Sequence, residues 1–318
     1  MGIKINKICS FLPNNLVTND HIVEFMPTWT SSKIVQKIGI EKRYVVDNDQ
    51  TALDLAIEVC NKIKSFVDFD SVDGLVLCTQ SPDYFLPTTS CILQDKIGLK
   101  TSTACFDFNL GCSGYIYGLA IVKGLINSGV MKNVLFVTSE TYSKYINIED
   151  GSNRALFGDG ATVSFISGTD KESICEFSLG TDGSGYKNLI VENGGARKLN
   201  TNLESRLFMN GSKIFEFTNN TIPKLVTETL LVNQLTINQI DFFIFHQANK
   251  YMLEHLRLKL DIPQEKFLIN MEYSGNTVSN TIPIVLEKLI DDISFRNKKI
   301  MLIGFGVGYS WGGTIIKL

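Results

Sequence analysis

The chain has 318 residues, 44% of them apolar and 20% charged, which predicts two domains or one large double unit around a sizeable core. Its 30 Lys and Arg against 33 Asp and Glu give a formal charge of −3 with no concentrated basic stripe, which excludes a nucleic-acid scaffold. Seven cysteines without a CxxC pair and only three histidines disfavour a disulfide framework, a thiolate zinc site and a histidine-based metal centre.

No apolar window is long enough to span a bilayer, because the nearest candidate, Ile300 to Ile316, is interrupted by five glycines. The N-terminus lacks a signal-peptide layout. Met1-Gly2 is followed by Asn6 where a myristoylation signal needs Ser or Thr. A soluble, cytoplasmic protein is expected.

In chain order, Thr51 to Val67 places Leu53, Ala56, Ile57, Cys60 and Ile63 on one stripe and predicts an amphipathic helix. Gly74 to Cys78 predicts a buried strand. Ser113 to Ser128 is apolar nearly all round and predicts a central helix, followed by a buried strand at Val134 to Val137. Phe242 to Phe245 predicts another strand, and Gly304 to Gly313 is a Gly-rich loop. The alternation is that of an α/β protein. Six of the seven cysteines have apolar neighbours and are expected as small buried hydrophobes.

The two halves repeat. Val72 to Gln80 resembles Ile240 to Ala248 at an offset of 168 residues. Helical patterns follow, ending at Lys96-Ile-Gly-Leu99 and Lys259-Leu-Asp-Ile262. Gly111-Cys112-Ser113 and Gly275-Asn276-Thr277 each open a further helix, which leads to the strands Lys132 to Val137 and Lys299 to Ile303. Four matched elements in one order predict a duplicated α/β unit, with residues 1–168 carrying Cys112 and residues 169–318 carrying His246 and Asn276. Packed about a pseudo-twofold axis, the equivalent helix starts converge and bring the three residues into one site.

Each residue has a bland alternative. Cys112, at a Gly-flanked turn before a helix, reads either as packing or as a thiol whose pKa the helix start lowers. His246, at a strand's carboxyl end where α/β proteins bind ligands, reads either as a ligand group or as a core histidine satisfied by a carbonyl. Asn276 reads either as a helix cap or as an uncharged donor to a substrate carbonyl. His21 and His255 read as structural. The Gly-rich loop fails as a dinucleotide site, since Tyr309 occupies the third glycine position, and is expected to present backbone N–H groups to an oxyanion.

Phe108-Asn-Leu-Gly-Cys-Ser-Gly, Phe157-Gly-Asp-Gly-Ala, His246-Gln-Ala-Asn, Gly275-Asn-Thr and Gly304-Phe-Gly-Val-Gly-Tyr-Ser-Trp-Gly occur in order. Together they resemble the β-ketoacyl-acyl carrier protein synthase III enzymes of the thiolase superfamily over essentially the whole chain. The resemblance implies a thiolase-like, duplicated five-layered α/β/α/β/α fold, a homodimer, and no cofactor or metal. It implies that Cys112 takes an acyl group from an acyl-CoA or acyl-carrier thioester. His246 and Asn276 would donate to the thioester carbonyl of a malonyl-acyl carrier protein and stabilise the enolate left by CO2. The backbone N–H groups of Cys112 and Val307 would form the oxyanion hole. Leu86 aligns with the position that crosses the dimer into the partner's acyl pocket.

Some positions depart from that pattern. Lys33 and Lys37 stand where acetyl-CoA users carry an aromatic residue and an Arg, Arg154 is shifted relative to Asp150, and Glu216 replaces a Lys that faces the carrier. These departures suggest a dedicated carrier in a specialised pathway, with Lys250, Arg257 and Lys259 as the expected carrier-facing patch. The rival within the fold passes the acyl group from Cys112 to an alcohol or amine, with His246 as base. A papain-like protease is disfavoured because the motif lacks Cys-Gly-Ser-Cys-Trp. An inactive carrier-binding subunit is disfavoured because the Cys, His and Asn set is intact.

Overall fold

Strand runs that are apolar at every position need cover on both faces, and that requirement sets the layering. The computed structural model describes residues 2–198 and 206–318. The first half contains β1 (Gly2–Phe11), β2 (Asn15–Thr18), α1 (Asn19–Val23), α2 (Ser31–Ile38), β3 (Lys42–Val45) and α3 (Ala52–Ile63). It continues through β4 (Gly74–Cys78), α4 (Thr89–Ile97), β5 (Ala104–Phe108), α5 (Gly114–Asn127), β6 (Asn133–Glu140), α6 (Gly151–Leu156) and β7 (Gly160–Thr169). Then come β8 (Ser178–Thr181), β9 (Leu189–Val191), β10 (Leu207–Met209), α7 (Gly211–Val232) and β11 (Phe242–Phe245). The chain closes with α8 (Lys250–Lys259), α9 (Thr281–Ile290), β12 (Lys299–Gly306) and β13 (Ser310–Lys317).

The first large sheet has the order β1-β7-β6-β4-β5, and the second β8-β13-β12-β11. The two match step by step. β1 and β8 run antiparallel to β7 and β13, which run antiparallel to β6 and β12, which run parallel to β4 and β11. The counterpart of β5 is reduced to one parallel bridge between Phe243 and Phe267.

Three apolar clusters separate five layers. Helices α3 and α4 cover the outer face of the first sheet with Leu55, Val59 and Leu93. Helices α5 and α9 fill the space between the sheets with Ile116, Leu119, Ile282 and Leu286. Helices α7 and α8 cover the second sheet with Ile222, Leu225 and Leu256. The fold is the duplicated thiolase arrangement. Because α5 lies between two sheets, it is apolar nearly all round.

Local signals explain the boundaries. The Thr51 side chain accepts from the N–H of Asp54 while the Asp54 carboxylate accepts from the N–H of Thr51, a capping box that starts α3. The matched tetrapeptides end their helices alike, with Gly98 at φ 75° and Asp261 at φ 53° in the left-handed region. α9 starts at Thr281 after a 3-10 turn, Val278–Asn280, so Asn276 lies further from its helix than Cys112 does from α5. β6 and β12 run beyond the predicted apolar runs to Glu140 and Gly306. Cysteine burial is less uniform than expected: Cys9, Cys60, Cys78 and Cys112 are buried, whereas Cys105 and Cys175 are half-buried and Cys91 is exposed. Exposure at the edge of the first sheet and near chain turns outweighs their apolar sequence neighbours. Among the described residues, no helix is long and apolar enough to cross a membrane.

Two glycines of α5 make opposite predictions. A β-carbon on Gly118 would lie 2.0 Å from the Phe136 ring, so Gly118→Ala should cost about 1–3 kcal/mol by overpacking. A β-carbon on Gly124 meets nothing within 4 Å, so Gly124→Ala should stabilise by about 0.5–1 kcal/mol through helix propensity. Urea unfolding of both variants measures the pair.

Candidate active site

Four strand or helix ends meet at Cys112. The residue sits between β5 and α5 and is 6% exposed. A β-carbon on Gly306, the last residue of β12, would lie 2.9 Å from its sulfur, so no other residue fits there. The backbone N–H groups of Val307 and of Cys112 itself face the sulfur and pull the thiol pKa down. Burial outweighs them and pushes it up to about 12, with the nearby Glu140 adding to the rise. This corrects the expectation of a lowered thiol pKa: a helix start is worth about one unit, whereas full burial is worth several.

His246 follows β11, and its own N–H donates to the Ile303 carbonyl of β12 at 2.7 Å. The imidazole meets the Phe305 ring edge-on at 5.6 Å. Its Nδ1 lies 2.7 Å from the Thr281 hydroxyl, which also reaches the Val278 carbonyl at 3.2 Å. In the tautomer where the hydroxyl donates to Nδ1, the ring proton sits on Nε2, facing the cavity; where the hydroxyl donates to Val278, it sits on Nδ1. Burial lowers the imidazole pKa to about 3, so at neutral pH the ring is an uncharged donor.

Asn276 is not the cap of the following helices, whose N-cap positions are Thr277 and Asn280. Its Oδ1 accepts from the Val278 N–H at 2.9 Å, which fixes the amide, and its Nδ2 donates to the Ala248 carbonyl at 3.4 Å and lies 3.5 Å from Nε2 of His246. The two nitrogens face common space. The Phe157-Gly-Asp-Gly-Ala segment holds this turn: the Asn276 N–H donates to the Leu156 carbonyl at 2.9 Å, and the Asn276 carbonyl accepts from Gly158 at 3.1 Å. Cys112, His246, Asn276, Phe305 and Gly306 line one cavity of about 80 Å³. A larger one of about 710 Å³, bounded by Gln80, Asn109, Tyr142 and Val307, shares Leu189 with it.

Other expected residues lie outside this centre. Leu86 is 83% exposed in the loop beside the larger cavity and does not line it within its own chain. Lys250 is exposed at the first turn of α8. Arg257 is committed to Glu254 at 2.8 Å and to the Ile262 carbonyl at 3.0 Å, and Lys259 to Asn219 at 2.8 Å. Glu216 pairs with Lys213 at 2.9 Å. Lys33 and Lys37 are exposed on α2, but the flat surface judged missing there is present nearby: the Lys33 ammonium lies 4.8 Å from the Trp29 ring and the Arg154 guanidinium 4.7 Å from the Phe25 ring. Both rings lie in the segment between α1 and α2, four and eight residues before Lys33. His255, expected at the surface, is half-buried against Phe215 and bonds to Asn219 at 2.8 Å.

Sequence reasoning missed Thr281, Gln80, Tyr142 and Glu140. Gln80 was within reach, because the repeat pairs it with Ala248, two residues past a matched strand end. Glu140, fully buried, accepts from the Gln80 N–H at 3.0 Å, the Ser81 hydroxyl at 3.3 Å and the Ser279 hydroxyl at 3.0 Å. It ties β6 to the loop after β4 and to the Asn276 turn. Those donors favour the carboxylate, yet burial wins and raises its pKa from 4.5 to about 8. A carboxyl kept protonated by the fold contributes stability that is complete below its ordinary value and lost as pH rises through the raised one. Asp159, raised to about 6, adds the same slope lower down. From about pH 6 to 8.5 stability should therefore fall, and Glu140→Gln should flatten that fall in urea midpoints; an equal slope in the variant assigns it to another group.

Known proteins resemble this chain in sequence and fold. Residues 106–183 match the family model for 3-oxoacyl-[acyl-carrier-protein (ACP)] synthase III, and residues 230–318 match the model for its C-terminal part. The chain is 36% identical over 316 residues to a beta-ketoacyl-[acyl-carrier-protein] synthase III of Clostridium perfringens, covering 97% of both. A solved 3-oxoacyl-(acyl-carrier-protein) synthase III superposes with a TM-score of 0.97 at 39% identity, covering 100% of both chains. A 3-oxoacyl-(acyl-carrier protein) synthase from Burkholderia xenovorans does so with a TM-score of 0.92 at 34% identity, covering 100% of this chain and 94% of that one. The chain belongs to the β-ketoacyl-acyl carrier protein synthase III family of the thiolase superfamily.

Proposed function

We propose that this protein catalyses a decarboxylating Claisen condensation between an acyl group held on Cys112 and a malonyl-acyl carrier protein. The convergence of Cys112, His246 and Asn276 on one cavity carries the reading. The Cys112 sulfur attacks the donor thioester, from acyl-CoA or an acyl-carrier protein, and the donor thiol leaves with the cysteine proton. The tetrahedral oxyanion is met by the N–H groups of Cys112 and Val307. The malonyl thioester then loses CO2, its carbonyl oxygen held by Nε2–H of His246 and Nδ2–H of Asn276. The enolate carbon bonds to the acyl carbon, the Cys112 C–S bond breaks, and a proton restores the thiol beside the 3-oxoacyl-carrier product.

An imidazole whose pKa burial lowers to about 3 is a poor base but keeps its N–H. That supports donation to an enolate over base-assisted transfer to an alcohol or amine. In this reading the chain works as a homodimer in the cytoplasm, exposed Leu86 reaches the partner's acyl pocket, and residues 1–168 and 169–318 are the two copies. The acidic carrier docks along α8, with Lys250 free and Arg257 and Lys259 keeping their charge. The departures at Lys33, Lys37 and Glu216 support a specialised pathway.

Incubation with acyl thioesters should add an acyl mass to the intact wild-type chain and none to Cys112→Ala; no labelling by any thioester overturns the reading. With malonyl carrier present, CO2 release distinguishes condensation from acyl transfer to oxygen or nitrogen. His246→Ala and Asn276→Ala should each lower condensation about 10²–10³-fold while Cys112 still becomes acylated, as read by coupled CO2 and mass measurements.

A further inference from the structure

The larger cavity beside Cys112 is not a plain apolar acyl pocket. A β-carbon on Gly111 would lie 2.4 Å from Oε1 of Gln80 and 2.7 Å from a Val307 methyl. The Gln80 amide therefore lies against the residue that precedes the nucleophile, on the side of the Val307 N–H. Its orientation is fixed at both ends. Its N–H donates to Glu140 at 3.0 Å and its carbonyl accepts from the Tyr145 hydroxyl at 3.2 Å. Its Oε1 accepts from the Tyr142 hydroxyl at 2.5 Å and its Nε2 donates to Asn109 at 2.9 Å.

Hydrogen-bonding capacity remains after these contacts. The Gln80 amide has a second N–H, and the Tyr142 oxygen, having donated its proton, has lone pairs left. Tyr142 is 4% exposed, and its ring packs 5.3 Å from that of Phe157, which lines the Cys112 cavity. Leu189 and Val307 supply the neighbouring apolar wall. An alkyl chain in that space sets carbon against the buried Tyr142 oxygen and the half-buried Gln80 amide, displacing water without replacing its hydrogen bonds. A hydroxyl can accept from Gln80 and donate to Tyr142 together, so one substituent completes both. The repeat sharpens the point: the partner of Gln80 in the second half is Ala248, which presents only a methyl to the Cys112 cavity.

Resting on the acyl-Cys112 reading above, we infer that the natural acyl group bears a hydroxyl close to its thioester end, held by Gln80 and Tyr142 as specificity-determining residues. Acylation forms the Cys112 sulfur–carbon bond and breaks the donor's, the hydroxyl staying intact throughout. The test uses N-acetylcysteamine thioesters of butyrate, 3-hydroxybutyrate and 4-hydroxybutyrate, with initial acylation rates read by intact mass. One hydroxylated probe should acylate the wild-type protein at least about tenfold faster than butyrate. Tyr142→Phe and Gln80→Leu should each move that ratio towards one or below. Butyrate acylating as fast as both hydroxylated probes, or a ratio unmoved by either variant, overturns the inference and leaves the nucleophile assignment standing. Absence of label from every probe removes both.

Discussion

The close approach of Gly306 to the Cys112 sulfur is the constraint on which the site depends. It joins the end of β12 in one copy to the nucleophile turn of the other, with less than a side chain's width between them. Once that contact is made, the Val307 N–H must face the sulfur, and β11, paired in register with β12, must deliver His246 to the same cavity. The Asn276 turn is fixed in turn by its backbone bonds to Leu156 and Gly158 of the first copy. The three side chains come from separate segments, yet each is placed by backbone pairing rather than by side-chain reach. Backbone pairing is the stiffer device, as positions within about an ångström decide rate.

Burial gives the site its electrostatic character. It drives the Cys112 thiol up to about 12, the Glu140 carboxyl up to about 8 and the His246 imidazole down to about 3. All three are neutral at rest near pH 7. Among the described residues that line the cavity, none carries a fixed charge to compete with an anion forming there, and the donors facing it are neutral N–H groups already oriented by their own partners. Such donors stabilise a developing oxyanion or enolate without reorganising and without a salt-dependent counter-charge. Glu140 matters here by staying protonated. Its ionisation would add a charge that opposes thiolate formation at Cys112.

Much of this was legible from the chain. Cys112, His246 and Asn276 stand at the ends of matched elements, and periodicity finds ends well when apolar runs stop sharply. The same rule hid Glu140, because an apolar-run reading stops at Val137 although β6 continues through buried Thr138, Ser139 and Glu140. Polar residues persist in that strand since each has a hydrogen-bond partner: Thr138 with Thr162 and Asn280, Ser139 with the Ala52 carbonyl, and Glu140 with Gln80, Ser81 and Ser279. Thr281 was hidden by the intervening 3-10 turn, which displaces the helix start from Asn276. Arg257 and Lys259 looked like a free patch because sequence shows charge but not the carbonyls and amides that claim it. Trp29 and Phe25 were hidden by alignment to fixed positions, which ignores that a long cation can meet a ring from a neighbouring segment, as Arg154 of α6 meets Phe25.

The duplication explains how a symmetric scaffold supports asymmetric chemistry. His246 and Cys78 occupy equivalent strand ends, but they do different work. The Cys78 thiol donates to the Leu110 carbonyl at 3.0 Å, within the turn that carries Cys112, and it sits where a β-carbon on Gly114 would be. So the first copy uses this position to brace the Cys112 turn, and the second uses it to place an imidazole in the Cys112 cavity. Ala248 and Gln80 diverge in the same way two residues on, a methyl on one side of the cysteine and an amide on the other. Equivalent backbone places them. Only the side chains differ, so changing which acyl group fits need not disturb the strand ends that hold the reacting atoms.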